Sequence, residues 1–203
     1  VLLGFGAGSV LYSVDLAGGR RERVLGAPLR AYEVLPGGDV LLACDRREDF
    51  GSEVLLWKRR PAEGETNPRL LACSDYLVRE ILVRDGRVFV AARRHGENFG
   101  MYEVDPATCA LSPIFPSPYG AGGMDFSGGE LRFAANYGGR FAVYAQGAEG
   151  PVRLSSAPYA VSPALDASSG LLWYVGLNPE GFALYREPPQ PDQTAVAEVA
   201  IAA

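Results

Sequence analysis

A short apolar phrase ending in an aromatic residue returns along this chain at a nearly fixed interval. Its copies are Val10-Leu11-Tyr12, Leu55-Leu56-Trp57, Gly100-Met101-Tyr102, Ala142-Val143-Tyr144 and Ala183-Leu184-Tyr185. The aromatic positions 12, 57, 102, 144 and 185 are 45, 45, 42 and 41 residues apart. Self-similarity at this period constrains the fold more than any single motif. Each repeat is then one supersecondary unit that cannot bury its apolar surface alone and must stack on its neighbours.

A second marker keeps the same step. Turn signals at Pro36-Gly37-Gly38-Asp39, Arg84-Asp85-Gly86, Ser127-Gly128-Gly129 and Ser168-Ser169-Gly170 place glycines at 38, 86, 129 and 170, which are 48, 43 and 41 residues apart. An apolar run follows each: Val40-Leu41-Leu42-Ala43, Val88-Phe89-Val90-Ala91, Leu131-Arg132-Phe133-Ala134 and Leu171-Leu172-Trp173-Tyr174. Asp-Gly and Gly-Gly ahead of a β-rich run read as tight hairpins, because glycine supplies the positive φ that such turns require.

Composition agrees with a turn-dense β protein. Gly 25 and Pro 15 punctuate 203 residues, enough chain for a substantial core. Hydrophobic residues at 48% and charged residues at 21% are ordinary for a folded domain. No apolar run approaches the ~20 residues of a membrane-spanning helix. A net charge of −5 excludes a surface that is basic throughout, and no nucleic-acid partner is expected. Lys58 is the only lysine, so the basic residues are otherwise arginines. That bias suits anion recognition, and base composition of the coding sequence explains it equally.

Each unit reads as four strands, A to D. The clearest copy has strands over 31–35, 40–44, 54–58 and 69–73. The next has 80–83, 88–92, 101–104 and 110–115, and a third has 122–125, 131–135, 141–145 and 152–155. A fourth has 161–165, 171–175, 182–186 and 194–201, the last Ala-rich and open to a helical reading. Ahead of these, 1–5, 10–15 and 23–25 supply strands B, C and D of a unit without its strand A. A chain that opens mid-unit is expected to be a span of something longer. Many of these strands are apolar on successive residues, as in Val54-Leu55-Leu56-Trp57. A sheet with one wet face alternates, whereas a sheet covered on both faces does not. Small four-stranded sheets stacked face to face, the blades of a β-propeller, give this double burial. A two-sheet sandwich would show cleaner alternation. The expected fold class is therefore all-β: a β-propeller of four-stranded antiparallel blades, four complete and one partial. It forms a single domain or part of one over 1–203, with a partial blade 1–26 and blades of about 27–74, 75–116, 117–156 and 157–203.

Leu11-Tyr12-Ser13-Val14-Asp15-Leu16-Ala17-Gly18-Gly19 is similar to the strand-Tyr then Asp-x-x-Gly-Gly half of TolB-like β-propeller repeats. Asp125-Phe126-Ser127-Gly128-Gly129-Glu130-Leu131-Arg132-Phe133 resembles the turn-and-strand half. The resemblance covers nearly the whole chain in degenerate form: Trp57 stands where the repeat has tyrosine, and Asp-x-x-Gly-Gly occurs once. It implies a propeller fold and a periplasmic or cell-envelope setting.

Cys44 and Cys73 fall on the second and fourth strands of one blade. Two strand spacings are about 9.5 Å, beyond the roughly 7 Å limit for a disulfide. Buried free thiols are expected, with a bridge to Cys109 as the alternative.

Blade geometry sorts the loops, with B–C and D–A loops emerging at one face. Two B–C loops look alike: Arg46-Arg47-Glu48-Asp49-Phe50-Gly51 and Arg93-Arg94-His95-Gly96-Glu97-Asn98-Phe99-Gly100. Equivalent loops carry Asn136, Tyr137 and Asn178, and the D–A loops carry Tyr76, Tyr119 and Tyr159. Arginine forks match carboxylates, and Arg and Tyr are enriched at interaction hot spots. The structural alternative pairs the arginines with Glu48, Asp49 and Glu97 and packs the tyrosines between blades. The strand-C aromatics, present in every unit, read as blade packing. His95, the only histidine, has four arginines near it that disfavour a cation and an imidazolium alike. No metal set is expected.

Gly4-Phe5-Gly6-Ala7-Gly8-Ser9 lacks the last glycine of a dinucleotide fingerprint and leads into a strand. Neither a G-x-S-x-G elbow nor a P-loop occurs, so no cofactor and no catalytic residue is expected. The sequence thus favours a non-enzymatic module that binds a protein or peptide on the B–C/D–A loop face. One alternative is the propeller of a prolyl-oligopeptidase-like hydrolase whose catalytic domain lies outside this span. The other is a structural spacer beside a membrane barrel or a peptidase domain.

Overall fold

The computed structural model describes residues 2–3, 11–14, 17–19, 21–25, 29–46, 50–105, 108, 110–115, 120–137, 139–148 and 150–191. Arg47, Cys109, Tyr119 and the strand expected over 194–201 lie outside the described residues.

Strands run in chain order and pair mostly with their sequence neighbours. The first sheet is β1 (Leu2–Leu3), β2 (Leu11–Val14) and β3 (Arg21–Leu25). The second is β4 (Leu29–Val34), β5 (Val40–Asp45), β6 (Ser52–Trp57) and β7 (Arg69–Ser74). The third is β8 (Leu77–Arg84), β9 (Arg87–Arg93), β10 (Gly100–Val104) and β11 (Leu111–Phe115). The fourth is β12 (Ala121–Asp125), β13 (Arg132–Ala135), β14 (Ala142–Gln146) and β15 (Pro151–Arg153). The fifth is β16 (Ala160–Asp166), β17 (Leu171–Asn178) and β18 (Gly181–Glu187). The helical structure among the described residues is a single 3-10 turn, Ser127–Gly129. The chain forms two compact units, 1–96 with 103–112 and 97–102 with 113–203.

Local chemistry explains the turns. Arg84 pairs with Arg87, so only Asp85 and Gly86 turn the corner, and both have positive φ (53° and 75°). That is the type I′ geometry whose twist matches antiparallel strands. Asn178 likewise pairs with Gly181 around a two-residue turn. A feature absent from the sequence reading recurs in every strand A. The registers of β4, β8, β12 and β16 against their B strands shift at Leu29/Ala31, Val78/Glu80, Gly122/Asp125 and Val161/Ala164. Such bulges sharpen the local twist. In the second unit two of them meet. A Cβ on Gly123 would lie 3.1 Å from Ser162 N and 3.2 Å from its Cα, so glycine is what lets β12 and β16 approach.

Within each unit the sheets stack. Leu11 of β2 lies among Leu29, Val40, Leu42, Cys44 and Leu55 of the second sheet, with Trp57 packed against them. In the second unit Val143, Ala145 and Leu154 meet Ala160, Leu172 and Tyr174, with Tyr185 alongside. Polar side chains tie the strands together, both within a sheet and across the stacks. The buried Ser52 Oγ accepts from Val78 N at 2.9 Å, and the buried Ser155 Oγ accepts from Val143 N at 3.0 Å. Asp125 Oδ2 accepts from Leu165 N at 3.1 Å, and Arg84 pairs with Glu33 at 2.7 Å.

Double burial holds for the middle strands β5, β9 and β13, where Val40–Cys44, Phe89–Ala92 and Arg132–Ala135 are buried residue after residue. It fails for β17, which alternates between buried and half-buried or exposed. The strand-C aromatics divide similarly. Tyr144 is buried, and Trp57 and Tyr185 pack on the inter-sheet clusters. Tyr12, expected to pack, is 37% exposed, because it points away from the face by which Leu11 meets the second sheet. Cys44 is a free, buried thiol, and burial, followed by Glu53 and Asp45, pushes it up to about 12. Cys44 and Cys73 both pair with Glu53 from opposite sides of β6, which keeps them two strands apart.

Candidate functional site

The first unit gathers cationic and aromatic side chains from three loops. After β5, the Arg46 backbone N–H donates to Gly51 O at 3.1 Å, and Phe50 directly precedes Gly51. Arg93 ends β9, and Arg94 and His95 follow it into the next loop. Tyr76 lies in the short connection between β7 and β8. The Arg94 guanidinium sits over the Tyr76 ring, 4.8 Å from its centroid. Arg93 lies 5.7 Å from the Phe50 centroid, and His95 meets the same ring edge-on at 5.2 Å. Arg94 and His95 are exposed, while Arg46, Phe50, Tyr76 and Arg93 are half-buried. A guanidinium that lies over an aromatic ring can still offer its N–H donors to a carboxylate in bidentate fashion. Sequence reasoning named the arginines, His95 and Tyr76 but passed over Phe50, although it precedes a glycine in the loop just as Phe99 does in the next.

The second unit holds a separate set. Tyr159 is half-buried between Phe141 at 5.8 Å and Phe182 at 6.2 Å, and Phe182 is 70% exposed. Phe141 and Phe182 were not singled out from sequence. Asn136 donates its N–H to Gly120 O at 3.1 Å, and among the described residues its buried Oδ1 receives no hydrogen bond. Asn178 Oδ1 accepts from Glu180 N at 3.0 Å and so serves the β17–β18 turn. Tyr137 is buried, against the surface position its loop suggested. Its ring packs edge-on to Tyr144 at 4.9 Å and Phe133 at 6.5 Å, which places it in the sheet core. Among the described residues no group of three or more His, Cys, Asp or Glu side chains is gathered as a metal site, and no helix is long and apolar enough to cross a membrane.

No family model and no curated protein matches the sequence. Solved structures do match. TolB from Acinetobacter baumannii is 16% identical, covers 90% of this chain and 47% of its own length, and superposes with a TM-score of 0.66. The fold is that of a TolB-like β-propeller. The β-propeller domain of the Trilobed protease from Pyrococcus furiosus, described as having an open velcro topology, is 12% identical over 91% of this chain and 57% of that one, with a TM-score of 0.60. The Pyrococcus horikoshii acylaminoacyl peptidase is 14% identical over 94% of this chain and 31% of that one, with a TM-score of 0.63. The chain therefore spans about half the length of TolB and less than a third of the peptidase. At these identities the likeness establishes architecture, and function rests on the site.

Proposed function

We propose that this chain is a non-enzymatic β-propeller binding module that docks a protein or peptide partner through its B–C and D–A loops. The division we favour is one propeller, or part of one, over 1–203, with a partial blade 1–26 followed by blades of about 27–74, 75–116, 117–156 and 157–203. The observation that carries the reading is the stack of exposed Arg94 on Tyr76, flanked by Arg93, Phe50 and His95. Aromatic rings hold the cations in place, so little side-chain entropy is left to lose when a partner carboxylate arrives. Resemblance to TolB supports a periplasmic or cell-envelope setting.

Reversing Arg46, Arg47, Arg93 and Arg94 to Glu is expected to abolish partner recovery from a cell-envelope extract while leaving the melting temperature near that of the parent. Recovery that does not change removes the arginine loops from the account. Arg94→Ala alone should weaken the isolated complex at least about tenfold, a hot-spot loss of ~1.4 kcal/mol or more, read by titration calorimetry.

A second reading has its own support in the likeness to the acylaminoacyl peptidase from Pyrococcus horikoshii. Here the span serves as the propeller of a larger hydrolase. Labelling of the native polypeptide by a fluorophosphonate serine probe favours it, and absence of labelling together with loss of partner capture in the arginine variant favours the binding module.

A further inference from the structure

A tyrosine stands just ahead of strand A in both the third and the fifth sheet, but its ring meets different company in each. In the fifth, Ala160 pairs with Gly176, so Tyr159 and Leu177 are the next opposed positions, and the Tyr159 ring meets Phe141 and Phe182. In the third, Leu77 pairs with Arg93, so Tyr76 and Arg94 are the next opposed positions, and the ring carries a guanidinium 4.8 Å from its centroid. A feature shared by the repeats serves the sheet; a departure from it needs another reason. Arg94 is such a departure, and it is exposed. Among the described residues no carboxylate pairs with it. Asp45, the acidic residue at the end of β5, is taken by Arg30 Nε, 2.8 and 2.7 Å from its two carboxylate oxygens.

We infer that this site reads acidic peptide segments, stretches with neighbouring carboxylates, and that Arg94 sets the specificity while Tyr76 positions it. The inference rests on the binding-module reading and names the ligand of that site. One fork matches one carboxylate. Arg93, the next residue along, lies over Phe50 instead of Tyr76 and puts a second cation beside the first on a separate ring. Two neighbouring cations, each on its own ring, suit a ligand with more than one acidic side chain. Charge complementarity also limits the length of that ligand. The chain as a whole carries a net charge of −5, so the cationic loops are a local exception on an acidic molecule. A short acidic segment meets only the cluster, whereas a nucleic acid, charged at each step, runs on into repulsion. Lysine would keep the charge of Arg94 but lose the planar fork and its stacking, so the two residues are not interchangeable here.

The test is an anisotropy titration of the native polypeptide, at its natural length, with a fluorescent hexaglutamate peptide blocked at both ends. Saturable binding is expected, with a blocked hexaglutamine peptide bound at least about tenfold more weakly. Arg94→Lys should lose at least about tenfold although its charge is unchanged. Tyr76→Leu should lose as much, and Tyr76→Phe, which keeps the ring, should bind like the parent. Arg94 is exposed, so its lysine variant folds as the parent does. Equal binding of the two peptides, or parent-like binding by Arg94→Lys, overturns the inference. So does displacement of hexaglutamate by inorganic phosphate at matching concentration, which would assign the site to small anions. If hexaglutamate does not bind while the four-arginine variant still loses its envelope partner, the inference falls and the binding module stands. If hexaglutamate binds through Arg94 while that variant keeps its partner, the inference stands and the docking face assigned to the partner falls.

Discussion

Strands β13 and β17 are both second strands of their sheets, both follow a glycine-containing turn after a serine, and both are apolar over consecutive residues. In β13 every residue from Arg132 to Ala135 is buried, the arginine included. In β17 the buried residues alternate with half-buried ones and end on an exposed Leu177. Composition does not separate the two strands; the number of covered faces does. Consecutive apolarity reports how many faces a strand is built to bury, and the packing around it decides how many are buried. Even the charge in β13 obeys the demand of burial. Arg132 donates to the carbonyls of Ser127 and Glu130 and pairs with the Glu130 carboxylate at 2.9 Å, which compensates its two terminal nitrogens for their lost water, while among the described residues its buried Nε meets no acceptor.

The sharpest way to break this comparison is to truncate one aromatic on each side of it. Phe133 is fully buried in β13, so Phe133→Ala should cost about 3–5 kcal/mol in denaturant unfolding of the 203-residue chain. Phe182 projects from the open face, so Phe182→Ala should stay within about 0.5 kcal/mol. Equal losses at the two positions would mean that the open face is covered after all, or that the fourth sheet is loosely packed.

Next in size are the buried hydroxyls. Ser52→Ala leaves the Val78 N–H without its acceptor between the second and third sheets, and Ser155→Ala does the same to Val143 N–H inside the fourth. Each should cost about 1–3 kcal/mol, the penalty of a stranded buried donor. Exchange of the Val78 and Val143 amides with deuterium would localise the loss, and unaltered protection would show that another acceptor takes over.

The strands and turns were legible because their chemistry is local. Asp85-Gly86 demands a two-residue turn wherever it stands, and the flanking runs are long enough to be strands and nothing else. The strand-A bulges were not legible, since Gly123 meets Ser162, 39 residues away in sequence but adjacent in space. The candidate site was legible as a set of loops and less so as a set of contacts. Neighbouring carboxylates suggested the ion pairs for the arginines, yet Arg94 stacks on Tyr76, which arrives from another connection. Tyr137 read as a loop residue because the repeat places it in a B–C loop, and its burial depends on the Phe133 and Tyr144 rings it meets edge-on in three dimensions.

The smallest effect sits where the covered face of the fifth sheet ends. Glu187, the last residue of β18, accepts from Ser156 N at 2.8 Å, Ser156 Oγ at 2.5 Å and Tyr174 Oη at 3.0 Å. Burial pushes its carboxyl up, but the hydrogen bonds outweigh burial and hold it below its ordinary 4.5. A carboxylate depressed on folding stabilises the fold above its unfolded value, and that contribution drains away as pH falls through the lower folded value. Tyr174 moves the other way: burial first, then its bond to Glu187, raises it to about 12 from an ordinary 10.0. Its contribution is complete below 10.0 and fades as pH climbs through about 12. Melting temperatures across pH should therefore fall at both ends of the range. Glu187→Gln should flatten the acid limb, and Tyr174→Phe should soften the alkaline one. An acid limb identical in Glu187→Gln and parent would show that this latch is not what the covered face relies on, and the contrast with the open face would then rest on apolar packing alone.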